Sequence, residues 1–276
     1  MVVAPAVVKI AGAPPSTGPR PETPPWRVAW VTGASSGIGL EVAQQLARLG
    51  VVVAISARSA DKLRALAANE PNLRPYPLDV TDRAAVAATV AVIEAELGAI
   101  NLAVLNAGVW HPMGASDFDA AKSIDSMQVN YNGLVYGVEA LLQPMIARRG
   151  GHLALVSSVA GYRGMPKAAA YSPSKAAVIS LAEALQPDLA RHNITLSLIN
   201  PGFVDTPMTR VNRFPMPFMV TVADAAQRII AGLVAKRYEI AFPFALVATL
   251  KLARIVPNRL YFWYARTFLA RATNGM

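Results

Sequence analysis

Apolar residues along the chain alternate between short runs and helical spacing. Trp26 to Val31 is a short apolar run that reads as a strand. From Leu40 to Leu49 the apolar positions Leu40, Val42, Ala43, Leu46, Ala47 and Leu49 recur at helical spacing and stop at Gly50. Val51 to Ala57 is again strand-like. Further apolar runs, Leu102–Leu105, His152–Val156 and Thr195–Ile199, extend the alternation. Strand, turn, helix, strand predicts parallel βαβ units and hence a doubly wound α/β sheet. The helix over Tyr171 onward carries Pro173, tolerated in a first turn where the N–H has no partner. Pro187 predicts a kink, or an end to that helix before Leu189.

The ends differ from this middle. Residues 1–25 form a Pro-rich leader, Pro14 to Pro25 being unable to hold a regular helix or central strand. Met1 to Ala13 is apolar but interrupted by Pro5 and Lys9, which argues against a secretory signal. The catalytic domain is expected over 26–240, and 241–276 is a basic, aromatic-rich extension. It predicts two helices, Phe244 to Val256 and Asn258 to Ala272, divided by Pro257. Lys251, Arg254, Arg259, Arg266 and Arg271 occur in this stretch with no Asp or Glu. Neither half has the ~20 uninterrupted apolar residues that span a bilayer. Such a segment suits an anionic membrane surface, or packing on its own domain or on a second subunit.

Composition narrows the classes. The 276 residues suffice for one α/β domain with a large core. There is no cysteine, so neither a disulfide framework nor thiol chemistry is available. Three histidines, His111, His152 and His192, lack ligand spacing, so no metal is expected. The net charge of +9 suits an acidic surface, but no nucleic-acid recognition motif accompanies it. The expected location is cytoplasmic, free or peripheral to a membrane.

The candidate chemistry sits in two places. After the first strand comes Thr32-Gly33-Ala34-Ser35-Ser36-Gly37-Ile38-Gly39. Glycines let the backbone turn sharply and approach a pyrophosphate, and the helix N-terminus that follows offers free N–H groups and a positive dipole end. Far downstream, Lys175 follows Tyr171 by four residues, so a helix holds phenol and ammonium on one face. The cation is expected to favour the phenolate, allowing proton exchange near neutral pH. Ser158, thirteen residues before the tyrosine, adds a hydroxyl for a substrate oxygen. At the end of the second strand, where an acid would accept from a ribose 2′-OH, stand Ala57 and Arg58, and no carboxylate follows until Asp61. A guanidinium there suits a 2′-phosphate, which favours NADP(H) over NAD(H).

The spacing G-x-x-x-G-x-G together with Tyr-x-x-x-Lys resembles the short-chain dehydrogenase/reductase family, over roughly residues 26–240. The resemblance implies cofactor contacts at Gly33, Ser35, Ser36, Gly37, Ile38 and Gly39. It implies others at Asp79 and Val80 beside the adenine, and at Asn106-Ala107-Gly108 after a central strand. It further implies contacts at Pro201, Gly202, Val204 and Thr206 near the nicotinamide, besides Tyr171 and Lys175 themselves. Family spacing selects Ser158 over Ser157, and Asn130 over Asn132, with Asn130 positioning a water linked to Lys175. The implied activity is hydride transfer between NADPH and a carbonyl or alcohol carbon. Tyr171 acts as proton donor, Ser158 as hydrogen-bond donor to the oxygen, and Lys175 as partner of both phenol and ribose. A non-catalytic NADP(H)-binding module, or a dehydratase or epimerase on the same scaffold, are the alternatives. Substrate specificity in the family lies largely after Pro201-Gly202. Here Phe203 to Val220 is rich in Met and Phe and reads as a hydrophobic lid. The stretch Tyr171 to Gln186 also resembles the long-chain sphingoid ketone reductase branch. With the basic tail, this implies a lipophilic ketone or alcohol. The family's usual dimers and tetramers imply a homo-oligomer.

Overall fold

The structure, a computed structural model, describes residues 24–212 and 214–269. The expected leader therefore lies outside the described residues except for Pro24 and Pro25, as does the end of the last expected helix, 270–272.

Seven strands form one sheet: β1 (Val28–Thr32), β2 (Val52–Ser56), β3 (Leu73–Pro75), β4 (Leu102–Leu105), β5 (Gly151–Val156), β6 (Ile194–Pro201) and β7 (Glu239–Phe242). The order is β3-β2-β1-β4-β5-β6-β7 and every pairing is parallel. The sheet thus runs two residues past 240. The helices are α1 (Gly37–Arg48), α2 (Ala60–Ala68), α3 (Arg83–Leu97), α4 (Ala120–Met127), α5 (Gly133–Ala147), α6 (Tyr171–Arg191), α7 (Val222–Val234), α8 (Phe244–Ile255) and α9 (Asn258–Tyr264).

Strands buried on both faces need apolar side chains at every position, which explains the unbroken runs in the sequence. Along β1, Val28 and Trp30 face the core shared with α3, α5 and α6, while Ala29 and Val31 face that of α1 and α7. β4 and β5 alternate in the same way, with Leu105 and Leu155 on the first side and Val104 and Val156 on the second. The chain leaves β1 toward β2 and β3, then crosses back to β4 on the other flank. That reversal opens a crevice at the carboxyl ends of β1 and β4.

The structure corrects two expectations. α6 does not end before Leu189 but continues to Arg191 through Pro187. Pro187 and Glu183, the residue whose carbonyl loses its helical partner, are both exposed, so water can satisfy that carbonyl. The helix expected over 258–272 is α-helical only to Tyr264 and continues as a π-turn, Ala265–Leu269. Asn130 lies shortly before α5. It sits in a π-turn, Gln128–Asn132, between α4 and α5.

Candidate active site

β1 ends in Thr32, and the chain must then turn from strand to helix within four residues. Gly33 (φ +66°) and Gly37 (φ +58°) hold the left-handed backbone that this requires. Gly39 is needed for closeness: a Cβ there would lie 2.4 Å from the Asn106 amide nitrogen and 2.7 Å from the Gly33 carbonyl oxygen. Asn106, at the end of β4, ties the turn down. Its backbone N–H donates to the Thr32 hydroxyl at 2.9 Å and its side-chain amide to the Thr32 carbonyl at 3.0 Å. Ser36 precedes α1 without capping it through its side chain. The first N–H groups of α1 therefore point outward with no intrahelical partner.

A cleft of about 470 Å³ runs along the carboxyl edge of the sheet. Its floor is set by Gly33, Ser35, Ser36, Gly37 and Ile38 from the first turn, with Asn106, Ala107 and Gly108 beside them. Arg58, Asp79 and Val80 line one end; Pro201, Gly202, Val204 and Thr206 line the other, next to Ser158, Tyr171 and Lys175. Gly39 and Asn130 are not on the cleft wall; both are buried behind it.

At the first end Arg58 is exposed and follows Ala57, with Ser59 after it. Asp79 is engaged locally: it accepts from the backbone N–H and the hydroxyl of Thr81, at 3.0 and 2.8 Å. That backbone bond, then the Thr81 hydroxyl and last the nearby Arg58, hold its carboxyl below the usual range against the effect of burial. Asp61 pairs with Arg64. Among the described residues no ion pair engages Arg58, although Asp79 attracts it at longer range.

At the other end α6 presents Tyr171 and Lys175 one turn apart. The Lys175 ammonium lies 5.7 Å from the Tyr171 ring centroid and donates to the Val156 carbonyl at 3.0 Å. Burial pushes the lysine down to about 8 and the phenol up to about 12, with the Ser158 hydroxyl pulling the phenol the other way. The lowering of the phenol expected from the cation does not prevail here: burial is the larger cause and the Ser158 hydroxyl the opposing one, so the phenol keeps its proton at neutral pH. Ser158 donates only a long bond, 3.3 Å, to the Pro201 carbonyl. Its neighbour Ser157, also on the cleft wall, donates to the Lys175 carbonyl at 2.7 Å, locking the end of β5 to α6.

Asn130 is fully buried. Its side-chain oxygen accepts from the Val109 N–H at 2.7 Å, and its amide donates to the Val109 carbonyl at 3.1 Å and to the Ser174 hydroxyl at 3.0 Å. It therefore staples the chain after Gly108 to the helix turn that carries Lys175. Asn132 makes only a local bond, to Gln128 at 2.8 Å. The π-turn supplies the extra residue that rotates Asn130 inward, a device common beside functional sites.

Sequence reasoning missed two neighbours. Trp110 stands edge-on to Tyr171, with centroids 5.1 Å apart and planes at 89°. Its indole N–H donates to Asn212 at 2.9 Å, inside the Phe203–Val220 segment. That segment is closed at its base by a bridge between Val204 and Val220. The second is Ser174, the partner of Asn130. Trp110 lies two residues past Asn-Ala-Gly, the only local signal for it.

The C-terminal helices touch this end too. Leu246 of α8 packs on Gly202, where a Cβ would meet it at 2.8 Å. Arg163 donates to the Arg254 carbonyl at 3.1 Å and to Asn258 at 2.7 Å, and its guanidinium lies 4.2 Å from the centre of the Tyr261 ring. The Tyr261 hydroxyl donates to the Gly164 carbonyl. The loop between Ser158 and Tyr171 is thus held from outside by α8 and α9.

Comparison with known proteins agrees with this geometry. A family model described as short chain dehydrogenase matches residues 27–215. An uncharacterized oxidoreductase of Myxococcus xanthus is 37% identical over 240 residues, covering 86% of this chain and 95% of its own. Among solved structures, a gluconate 5-dehydrogenase from Burkholderia cenocepacia, in complex with NADP and tartrate, is 26% identical with a TM-score of 0.74. The match covers 80% of this chain and 95% of that one. A short chain dehydrogenase/reductase from Burkholderia phymatum, in complex with NAD, is 26% identical with a TM-score of 0.75, covering 83% and 92%. A glycine cradle with no room for a Cβ at Gly33 or Gly39 and a parallel sheet accompany these matches, and the chain belongs to the short-chain dehydrogenase family of oxidoreductases.

Proposed function

We propose that the protein is an NADP(H)-dependent oxidoreductase that interconverts a lipophilic ketone and its alcohol. The observation that carries the reading is one continuous cleft with Arg58 at one end and the Ser158–Tyr171–Lys175 cluster at the other. The residues fit a dinucleotide: the cradle excludes side chains, and the start of α1 offers unpaired N–H groups to a diphosphate. Arg58, which follows Ala57 rather than an acid and is in no ion pair among the described residues, favours a 2′-phosphate. When bound, the reduced nicotinamide supplies the hydride.

The chain's own residues handle the oxygen. A carbonyl oxygen placed between Ser158 and Tyr171 accepts a hydrogen bond from the serine hydroxyl, which gives up its long bond to Pro201. Tyr171, held protonated by burial, gives its proton to that oxygen as negative charge develops. Lys175, anchored on Val156, then faces a phenolate and stabilises it. Asn130 acts as a positioning residue through Ser174 and Val109. Trp110 sets one face of Tyr171 and joins it to the apolar Phe203–Val220 segment, which favours a bulky apolar substrate.

NADPH oxidation measured across ketones of increasing apolar size tests this reading. Turnover that rises with size and prefers NADPH over NADH supports it. Failure with every ketone, or an NADH preference, overturns it.

A further inference from the structure

We infer that α8 and α9 form a docking face for an anionic lipid surface. Among the described residues no helix is long and apolar enough to cross a membrane, so the contact is peripheral. On α8, Leu246 and Val247 are buried against the domain, while Phe244, Leu252 and Ile255 are 84%, 61% and 77% exposed. Positions i, i+8 and i+11 share one helix face, and that face is opposite the buried one. α8 is therefore apolar on two sides, only one of which the domain uses. α9 adds Leu260 and Phe262, 59% and 54% exposed.

The charges say what covers this face. The stretch from 240 to 276 has five basic residues and no acid. Lys251 is taken up by Glu239, but no ion pair among the described residues engages Arg254, Arg259 or Arg266. Arg259 and Arg266 instead flank a shallow cavity walled by Phe262, Ala265 and Pro166. Guanidiniums beside exposed apolar side chains match the boundary between phosphates and acyl chains. A second copy fits worse: a twofold contact uses the same patch from both subunits, and would bring two basic stretches without an acid against each other.

The test uses full-length protein and sedimentation with phosphatidylcholine vesicles, with and without phosphatidylglycerol. Binding should require phosphatidylglycerol and weaken as salt rises. The triple variant Arg254→Ser, Arg259→Ser, Arg266→Ser should lose about tenfold or more in partitioning. The double variant Phe244→Ser, Leu252→Ser should lose about tenfold at unchanged charge. Both variants should keep the wild-type circular dichroism, and neither residue set lies in the proposed catalytic cleft. Wild type that ignores phosphatidylglycerol at low salt overturns the inference, as does binding insensitive to both variants. A wild-type dimer that Phe244→Ser, Leu252→Ser converts to a monomer, by light scattering, also overturns it and assigns the face to a second copy. Because the readout is binding, it stands or falls independently of the proposed reaction.

Discussion

The first turn after β1 and the C-terminal pair α8–α9 are built on opposite principles. In the first, backbone meets backbone. Gly33 and Gly39 leave no room for a side chain, Gly37 holds a left-handed turn, and Asn106 closes the turn with bonds to main-chain and hydroxyl groups of β1. In the second, side chains do the docking: Leu246 on Gly202, Arg163 on Tyr261, and Tyr261 on Gly164. A backbone cradle allows few residue types, so its sequence is constrained and reads the same wherever the geometry recurs. A side-chain dock has many equivalent solutions and leaves apolar surface uncovered, as on Phe244 and Ile255. The first region speaks to a common ligand, the second to what distinguishes this chain.

The largest effect should come from the cleft that both regions flank. Tyr171→Phe removes the proton donor but none of the cradle. Turnover should fall by about 10²–10⁴-fold, while NADPH binding, followed by fluorescence, stays within a few-fold of wild type. Near-normal turnover would remove Tyr171 from the mechanism.

Arg58→Ala should weaken NADPH by one to two decades, since a charged hydrogen bond is worth roughly 1.5–3 kcal/mol. NADH should be unaffected. Equal loss for both cofactors would mean that Arg58 only supports the cleft edge, for instance through its attraction to Asp79.

The contrast in tolerance is testable with two glycines. Gly39→Ala places a methyl 2.7 Å from a carbonyl oxygen that cannot move without breaking the turn. It should cost roughly 1–3 kcal/mol in urea unfolding. Gly164→Ala, in the loop that Tyr261 holds, meets nothing within 4 Å and should stay within about 0.5 kcal/mol of wild type. Similar costs at both positions would erase the distinction between the regions.

Titration separates the two ends of α6's first turn. Burial depresses Lys175 to about 8 and raises Tyr171 to about 12. Below 8 the ammonium is charged and the phenol neutral, the combination that carbonyl reduction needs. Above 8 the ammonium loses its charge first. The reductive rate should therefore fall about tenfold per pH unit above that point. A rate that rises across pH 8 would show that the charge of Lys175 is not required.

How much of this was legible follows the same division. The parallel α/β sheet could be read because buried strands are continuously apolar and glycine turns punctuate them. The cleft residues from Gly33 to Ile38, and the Tyr171–Lys175 turn, could be read because fixed spacing on a helix or a turn decides who meets whom. Trp110 could not, since its contact with Tyr171 depends on where a loop after β4 folds back. Nor could the burial that raises the phenol, because spacing reports proximity and not solvent. At Pro187 the sequence left a kink and an ending both open, because whether a helix survives a proline depends on whether water can reach the freed carbonyl. The strand β7 straddled the expected domain edge because Glu239–Phe242 is too short to stand out.

The smallest expected effect bears on whether the C-terminal pair influences the chemistry at all. Tyr261→Phe deletes one hydroxyl, the donor to the Gly164 carbonyl, and leaves the ring beneath Arg163 in place. The lost bond is worth about 0.5–1.5 kcal/mol. The loop it braces joins Ser158 to Tyr171, and its slackening should loosen the fit of a large substrate more than the proton transfer itself. KM for a bulky ketone should rise by about two- to tenfold, with kcat nearly unchanged and a small ketone indifferent. Arg163→Ala, which removes two hydrogen bonds and the stacked cation together, should push KM further in the same direction. If both variants leave KM alone at every substrate size, the loop is held by its bridge from Met113 to Ala168. The C-terminal pair would then serve docking alone, and the two regions would be independent in function as well as in construction.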